Sequence, residues 1–277
     1  MQSADMEILV EIDKKKWPEL RDLYRNNWPK NAVAYCILDT HISYPKLSKI
    51  FNFKVYCPHG DLLNGMVAII EQDDYIIMIH PVDDIKKLEE ALATTRLIKW
   101  NKQFIVPSAS SEVEDCMKRI EPIGKRVKGE KALKHILSRD NPKFENLTLP
   151  PNTYIGPLKT EHIKFIDKKW TYTHETTYKF FEVLMNNDLT YALYSTDDCL
   201  LAWVVIDTSG SLTHLYCVDG HRRKGYAEFL LKYVINEQLS KGKDTLAYTL
   251  ENNLKANRLF DKLKFEQNEC VKWLILY

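Results

Sequence analysis

The sequence lacks the features that mark several large classes of protein. No apolar run in its 277 residues approaches the ~18 residues that a membrane-spanning helix needs. The 39 basic and 38 acidic residues leave a formal net charge of +1, so no overall basic excess attracts nucleic-acid phosphates. With 45% apolar residues, the composition is that of a folded globular protein. We therefore expect neither a membrane nor a nucleic acid as a partner.

The cysteines show no spacing that suggests a metal site or a disulfide framework, because no two of them form a CxxC pair. We expect no bound metal, and we predict reduced thiols in the core. The six are Cys36, Cys57, Cys116, Cys199, Cys217 and Cys270. The acidic amino-terminal segment has only a short apolar run, unlike a signal peptide or a mitochondrial presequence. We expect a cytoplasmic location, with a mitochondrial one as the alternative.

Glycine is scarce, with nine residues, and the sequence contains neither GxxxxGK[ST] nor GxGxxG. This excludes a P-loop and the usual dinucleotide-binding fingerprint. Gly225 nevertheless has an informative context. It follows a predicted strand at 212–218 and a basic turn, and it begins a predicted amphipathic helix over 225–239.

That turn carries three consecutive basic residues, Arg222, Arg223 and Lys224. The unpaired N–H groups in the first turn of a helix attract an anion, and the helix dipole and basic side chains add to the attraction. Gly225 lets a ligand approach the backbone closely. The pattern predicts a phosphate or pyrophosphate site at the carboxyl end of a strand. A solvated basic turn is the plainer alternative.

A proline-rich stretch, Ser138–Asn152, is the best linker candidate. We predict an N-terminal domain at 1–140, a linker at 141–152 and a C-terminal domain at 153–277. In the first half, strands are predicted at 32–38, 53–57, 66–70, 75–80 and 104–106, with a turn at 72–74 and helices at 85–93 and 110–119. In the second half, helices are predicted at 160–167, 176–186, 225–239 and 253–263, and strands at 191–195, 200–206, 212–218, 245–250 and 271–276.

Two blocks of the second half resemble motifs A and B of the GCN5-related N-acetyltransferase (GNAT) superfamily. Arg222, Gly225 and Ala227 match its R/Q-x-x-G-x-G/A signature, and Asn253, Ala256, Leu259 and Phe265 match its N-x-x-A…L-[YF]-x-K-x-G-F block. The likeness covers about 125 residues.

Within that superfamily the chain most resembles the glycine N-acyltransferases and their insect-type relatives. The segments that carry this likeness are Trp170-Thr171-Tyr172, Ala202-Trp203-Val204, Ser209-Gly210-Ser211 and, more weakly, Asp73-Asp74-Tyr75 and Leu97-Ile98-Lys99-Trp100. The resemblance implies an α/β (α+β) fold with two tandem acetyltransferase-like domains. Each would be a mixed, mostly antiparallel sheet flanked by helices, and only the C-terminal one would have a CoA loop.

The resemblance further implies direct transfer of an acyl group from acyl-CoA, as co-substrate, to the amine of glycine or another small amine or amino acid. The backbone amides of 223–227 would hold the CoA pyrophosphate. The strand at 215–218 would bind the pantetheine, and the backbone N–H near Tyr216 would polarise the thioester carbonyl. The implied CoA-binding residues are Leu215, Tyr216, Cys217, Val218, Arg222, Arg223, Lys224, Gly225, Tyr226, Ala227, Asn253, Asn257 and Phe260.

The groups that move protons depart from the superfamily's pattern. Phe260 stands where many relatives have a tyrosine that protonates the leaving thiolate, and Ser211 stands where the glycine-conjugating enzymes have a glutamate. His214 is the best substitute for a general base, because the ordinary pKa of histidine is near neutral. A half-buried strand histidine is the structural alternative. Cys217 has no histidine and acid spaced to activate it as a nucleophile.

Two other functions remain open. One is a protein or peptide N-acetyltransferase, and the other is a non-catalytic acyl-CoA-binding protein, which the missing tyrosine and glutamate favour. The aromatic residues of 170–203 either line an acyl pocket or belong to an ordinary core. The sequence does not indicate an oligomeric state.

Overall fold

A computed structural model describes residues 7–71, 74–120, 127–170 and 177–276. The helices in these ranges are α1 (Trp17–Arg25), α2 (Ala32–Ser43), α3 (Pro45–Ile50), α4 (Lys86–Thr94), α5 (Ser111–Ile120), α6 (Ile163–Lys169), α7 (Thr177–Met185), α8 (Tyr226–Ser240) and α9 (Leu254–Lys262). The strands are β1 (Leu9–Glu11), β2 (Lys54–Pro58), β3 (Met66–Glu71), β4 (Tyr75–His80), β5 (Phe104–Ala109), β6 (Val127–Leu137), β7 (Thr153–Gly156), β8 (Thr190–Ser195), β9 (Leu200–Ile206), β10 (Ser211–Cys217), β11 (Thr245–Leu250) and β12 (Glu266–Leu276).

The chain forms two compact units that are not consecutive halves. The first contains the described residues up to Lys134, together with Thr249–Asn253 and those from Asn268 onward. The second contains His135–Tyr248 and Leu254–Gln267. This differs from the predicted division into 1–140 and 153–277, because the end of the chain belongs to the first unit. The predicted linker, Ser138–Asn152, has no helix or strand.

The first unit is built on strands in the order β1-β2-β3-β4-β5-β12-β6. β3 and β4 form a regular antiparallel hairpin from Met66 opposite His80 to Glu71 opposite Tyr75. β4 and β5 are parallel, with Ile76 opposite Ile105. Helices α4 and α5 each place apolar residues at i, i+3 and i+4 on one face, and this face packs on the sheet.

The second unit uses the end of β6 and then the order β11-β10-β9-β8-β7. β9 is buried along its whole length, as its unbroken apolar sequence requires. β8, β9 and β10 are antiparallel neighbours, whereas β10 and β11 are parallel. The buried residues of α8 include Leu230, Leu231, Val234 and Ile235, and the helix packs against β8, β9 and β10.

The two units repeat one order of elements. In the first, the hairpin β3-β4 is followed by α4, the parallel strand β5 and α5; in the second, the hairpin β9-β10 is followed by α8, the parallel strand β11 and α9. This repeat agrees with the predicted pair of similar, mixed and mostly antiparallel domains.

The strand predicted at 32–38 is wrong, because these residues begin α2. Every residue from Ala32 to Leu38 is buried, so no polar position marks the helical period. β1, α1, α3, β6 and β7 have no counterpart in the prediction. The other predicted helices and strands are present with bounds shifted by a few residues. The predicted turn at 72–74 falls largely outside the described residues. Thr171-Tyr172 and the first residue of the helix predicted at 176–186 also lie outside them.

The prediction that all six cysteines lie in the core is also wrong. Cys36, Cys57 and Cys116 are buried, but Cys199 and Cys270 are exposed and Cys217 is half-buried. None of the six is in a disulfide. Within the described ranges, no helix combines the length and apolar character needed to cross a bilayer.

Candidate functional site

The carboxyl half of β10 departs from regular strand geometry. On one side, Thr213 lies opposite Val205 and Tyr216 opposite Trp203, so His214 and Leu215 together face one residue of β9. This is a β-bulge, and His214 adopts a positive φ of 55° within it. On the other side, the parallel pairs with β11 are Ser211–Leu246 and Leu212–Ala247, at the start of both strands. The bulge therefore lies beyond the point where the two parallel strands are paired.

The turn between β10 and α8 forms a concave row of backbone N–H groups. Arg223 and Gly225 have positive φ values of 67° and 80°, on either side of Lys224. Such alternation turns successive N–H groups toward one side, as in an anion-binding nest. Within the described chain, the backbone N–H groups of Arg223, Lys224 and Gly225 have no acceptor.

The amino terminus of α8 continues this row. Gly225 is its N-cap and provides no side-chain hydrogen bond. The first N–H groups of the helix therefore remain available to donate to a ligand. A Cβ atom added at Gly225 would meet nothing within 4 Å, so the space in front of the turn is open. The helix has 15 residues, long enough for its dipole to favour an anion at this end.

The basic residues of the turn differ in how they are held. Arg222 Nη2 lies 2.8 Å from Asp219, and its guanidinium stacks over the Tyr216 ring. Asp219 also accepts from Lys169 at 3.1 Å and from the Tyr216 hydroxyl at 3.1 Å. The hydrogen bond from Lys169 is the main reason why the pKa of Asp219 is lowered. Arg222 is thus partly neutralised.

Arg223 and Lys224, in contrast, are exposed and form no ion pair with any described residue. Their charges remain available to a ligand in the turn. Lys169 and Asp219 are site residues that the sequence reasoning above misses. Asp219 is visible there as an acid three residues before Arg222, but Lys169 is 50 residues away from it.

The environment of His214 is aromatic and dry. Its ring stacks on Trp170 with centroids 3.3 Å apart, and it meets the edge of Phe181 at 4.8 Å. The residue is 9% exposed. Burial lowers the pKa of His214 to about 3, because the imidazolium form cannot be hydrated. At neutral pH the ring is therefore uncharged and a weak base.

The residues of motif B lie on and just before α9. Asn253 is exposed and directly precedes the helix. Asn257 hydrogen-bonds the His135 side chain. Phe260 is 4% exposed and stacks on His135 with centroids 4.9 Å apart, so its ring belongs to the core. An apolar, buried Phe260 offers no proton to a leaving thiolate.

The aromatic residues expected near an acyl pocket are mostly packed. Phe181, Tyr194 and Trp203 are fully buried, and Trp203 stacks on Tyr216 at 4.7 Å. The indole Nε1 of Trp203 is buried and has no hydrogen-bond partner in the described part of the chain. Burying an indole N–H without an acceptor costs free energy. A hydrogen bond from this donor to a ligand carbonyl or a water would remove that cost.

Other kinds of chemistry receive no support from the described residues. Burial raises the pKa of the Cys217 thiol, which disfavours the reactive thiolate. Ser211, 1% exposed, bonds Ser209 through its hydroxyl at 2.7 Å. No cluster of three or more His, Cys, Asp or Glu residues suited to a metal ion occurs in the part of the chain that is described.

Two sequence families match separate parts of the chain. Residues 192–274, which include β9, β10, the turn and α8, match a family described as FR47-like protein. Residues 8–120, in the first unit, match a family described as a domain of unknown function, DUF5645. No curated protein matches the chain.

Solved structures match nearly the whole chain. The X-ray structure of a Drosophila protein has a TM-score of 0.84 at 16% identity and covers 98% of this chain and 99% of its own. A putative acetyltransferase from Pyrococcus horikoshii has a TM-score of 0.56 at 12% identity, covering 99% and 91%. A tandem GNAT protein from the clavulanic acid biosynthesis pathway has a TM-score of 0.52 at 12% identity, covering 97% of each chain.

At these identities the structural likeness concerns the fold. It confirms the predicted fold class, that of a tandem acetyltransferase-like protein. With the FR47-like match it supports placement in the GNAT superfamily. The narrower resemblance to glycine N-acyltransferases stays a prediction.

Proposed function

We propose that this chain, which has the acetyltransferase fold, is an acyltransferase. In this proposal the second unit transfers an acyl group from acyl-CoA to the amine of glycine or another small amine or amino acid. The observation that carries the proposal is the row of backbone N–H groups at 223–225, which have no acceptor in the described ranges and are continued by the start of α8. It lies at the carboxyl end of a parallel strand and faces open space at Gly225. A pyrophosphate fits this combination of donors, dipole and charge.

The bulge of β10 provides the second part of the proposed site. With two residues facing one of β9, the strand turns part of its backbone away from the regular ladder. We assign to the N–H near Tyr216 the role of binding the thioester oxygen. That oxygen gains negative charge as the amine attacks, so a fixed donor there stabilises the transition state more than the ground state.

In the proposed reaction the amine nitrogen forms a bond to the thioester carbon, and the carbon–sulfur bond breaks. The amine proton is lost to a base, and CoA leaves as the thiolate. The low pKa of His214 makes this residue a poor acceptor for that proton. We therefore propose that water takes the proton and that the stacked, neutral His214 holds the bulge in place.

A non-catalytic acyl-CoA-binding protein is the second candidate. It is favoured by one observation: neither His214 nor Phe260 can exchange a proton readily at neutral pH. Such a protein needs the phosphate cradle but no acid or base.

A thiol-release assay distinguishes these functions. Acetyl-, benzoyl- and longer acyl-CoAs are each incubated with glycine, other amino acids, simple amines and a peptide, and the free CoA thiol is measured. The proposal expects amine-dependent release with at least one small acceptor. Release with the peptide alone would indicate a peptide acetyltransferase. CoA binding without release from any pair would indicate the non-catalytic protein.

A further inference from the structure

The first unit contains a polar pocket of about 110 Å³. It lies beside His80 at the end of β4 and Ser108 near the end of β5, the two parallel strands of this unit. The carboxyl ends of parallel strands are the usual place for ligands in open sheets. The repeat of elements described above gives this pocket the same position in the first unit that the turn before α8 has in the second.

An ion pair between a buried lysine and a partly exposed glutamate forms one wall of the pocket. Lys134 Nζ lies 2.5 Å from Glu269 Oε1, and the side chain of Lys134 is 1% exposed. Its ammonium also approaches the carbonyl oxygen of Lys30 at 3.5 Å. An ammonium has three donors, so one N–H of Lys134 remains after these two acceptors. Burying such a group costs free energy, and its position in a cavity wall points to a ligand.

Two helices begin at the same pocket. The N–H groups of Val33 and Ala34, in the first turn of α2, have no acceptor within the described chain, and both residues line the cavity. The N-cap of α2 gives no side-chain hydrogen bond. Ser111, the first residue of α5, also lines the cavity, and its N–H likewise has no acceptor among described residues.

His80 adds a polar atom that protein groups do not satisfy. Its Nε2 is buried and has no hydrogen-bond partner among the residues that the structure describes. Burial, reinforced by the nearby charge of Lys134, lowers the pKa of His80 to about 3. The ring is thus neutral at pH 7 and retains one N–H donor.

The helix termini, and not the side-chain charges, favour an anion in the pocket. The charged side chains that line it are two of each sign, Lys30, Lys134, Glu112 and Glu269, and they cancel. What remains is the positive end of two helix dipoles and the unpaired N–H groups. Ile79 and Val271 supply apolar surface beside these donors.

The size and surroundings of the pocket limit the anion to a small one. A cavity of about 150 Å³ accommodates the six carbons of benzene, so this one suits about four to five non-hydrogen atoms. The turn that follows β4 contains Asp83 and Asp84 and no basic residue, so it lacks the phosphate cradle of the second unit.

We propose that this pocket binds a small aliphatic monocarboxylate, with its oxygens on the Lys134 ammonium and the amino termini of α2 and α5 and its alkyl part on Ile79 and Val271. The site is separate from the proposed acyl-CoA cradle. If the pocket binds no carboxylate, the proposed function of the second unit is unaffected.

Calorimetric titration of the full chain with propionate tests the proposal. Propionamide and propylammonium have similar size but no negative charge, and they serve as ligand controls. The double variant Lys134→Met with Glu269→Gln removes both charges of this ion pair at similar volume. The matched control is Lys54→Met with Glu11→Gln, an exposed pair of the same unit.

We expect saturable propionate binding in the millimolar range, about tenfold weaker in the pocket variant and unchanged in the surface control. Propionamide and propylammonium should bind the wild-type chain no more tightly than propionate binds the pocket variant. Equal propionate affinity in the wild-type chain and the pocket variant would overturn the proposal, as would the absence of saturable binding.

Amide NMR of the wild-type chain gives a test that needs no variant. Propionate should shift the backbone resonances of Val33, Ala34 and Ser111 and leave those of Glu11 and Lys54 in place. Shifts confined to other parts of the chain would contradict the assignment.

Discussion

Arg223 and Gly225 both adopt left-handed backbone conformations, with φ values of 67° and 80°, and the exposed Lys224 lies between them. A non-glycine residue rarely adopts such a conformation, which costs of order 1 kcal/mol or more. Here it leaves a run of N–H groups next to two cations, and none of these groups has a partner among the described residues. The geometry is thus arranged for an anion that the chain itself does not supply.

The double variant Arg223→Gln with Lys224→Gln should weaken CoA binding by about tenfold at low salt, because it removes two charges beside the phosphates. The difference should shrink as ionic strength rises, since salt screens exposed charges. Calorimetric titrations at two salt concentrations measure both effects. Lys143→Gln with Lys241→Gln removes the same charge from exposed positions elsewhere in this unit and should leave the affinity unchanged. An equal loss of CoA affinity in both double variants would show that the net charge of the chain, and not the position of these two residues, determines binding.

His214→Asn should leave the shape of the pH–rate profile unchanged between pH 6 and 9, if thiol release is observed. The pKa of His214 is lowered to about 3 by burial, so the ring does not titrate in this range. Asparagine is chosen because it tolerates the positive φ at this position. The rate itself should fall, since the stacked ring that supports the bulge is lost. An inflection near pH 6.5 that disappears in the variant would restore His214 as the general base.

Stability should fall with acid through the buried histidines, before most carboxylates titrate. Burial lowers the pKa of His41 to about 3, against about 6.5 in an unfolded chain, so the unfolded state binds the proton first. Its contribution is fully present above pH 6.5 and is lost as the pH falls toward 3, by at most about 1.4 kcal/mol per pH unit. His41→Phe should reduce the slope of unfolding free energy between pH 6.5 and 5, and the exposed His59→Asn should not. Equal slopes in the wild-type chain and His41→Phe would refute the assignment.

The two partners of the Lys134–Glu269 ion pair should differ in their importance for stability. Glu269→Gln leaves Lys134, whose side chain is 1% exposed, as an uncompensated buried charge, which should cost about 3–5 kcal/mol. Lys134→Met leaves Glu269, whose side chain is 37% exposed and accessible to water, so the loss should be smaller. Denaturant unfolding of both variants measures the difference. The reverse order would contradict this account of the pair.

The sequence predicted the second unit well because its elements carry strong local signals. The apolar strand, the basic turn and the amphipathic helix around Gly225 follow one another within a short stretch, and the structure shows that order. Local pattern failed at 32–38, where a fully buried helix has no polar face to reveal its period.

Contacts between residues that are far apart in the chain could not be predicted from the sequence. The pairing of Asp219 with Lys169 joins positions 50 residues apart, and the pocket of the first unit joins His80 with Lys134 and Glu269. The burial that makes His214 a weak base depends on Trp170 and Phe181, which come from other elements. In each case the chemistry of a residue is set by neighbours that only the fold brings together.

The central claim, that the turn before α8 holds the phosphates of acyl-CoA, is tested most directly by titrating CoA into the Gly225→Glu variant. Glutamate places bulk and negative charge where an added Cβ now meets open space. Gly242→Glu is the matched control, because Gly242 follows the other end of the same helix with a similar positive φ and equally open surroundings. We predict that Gly225→Glu weakens CoA binding by about a hundredfold or more while Gly242→Glu binds as the wild-type chain does. Wild-type affinity for CoA in Gly225→Glu would contradict the account.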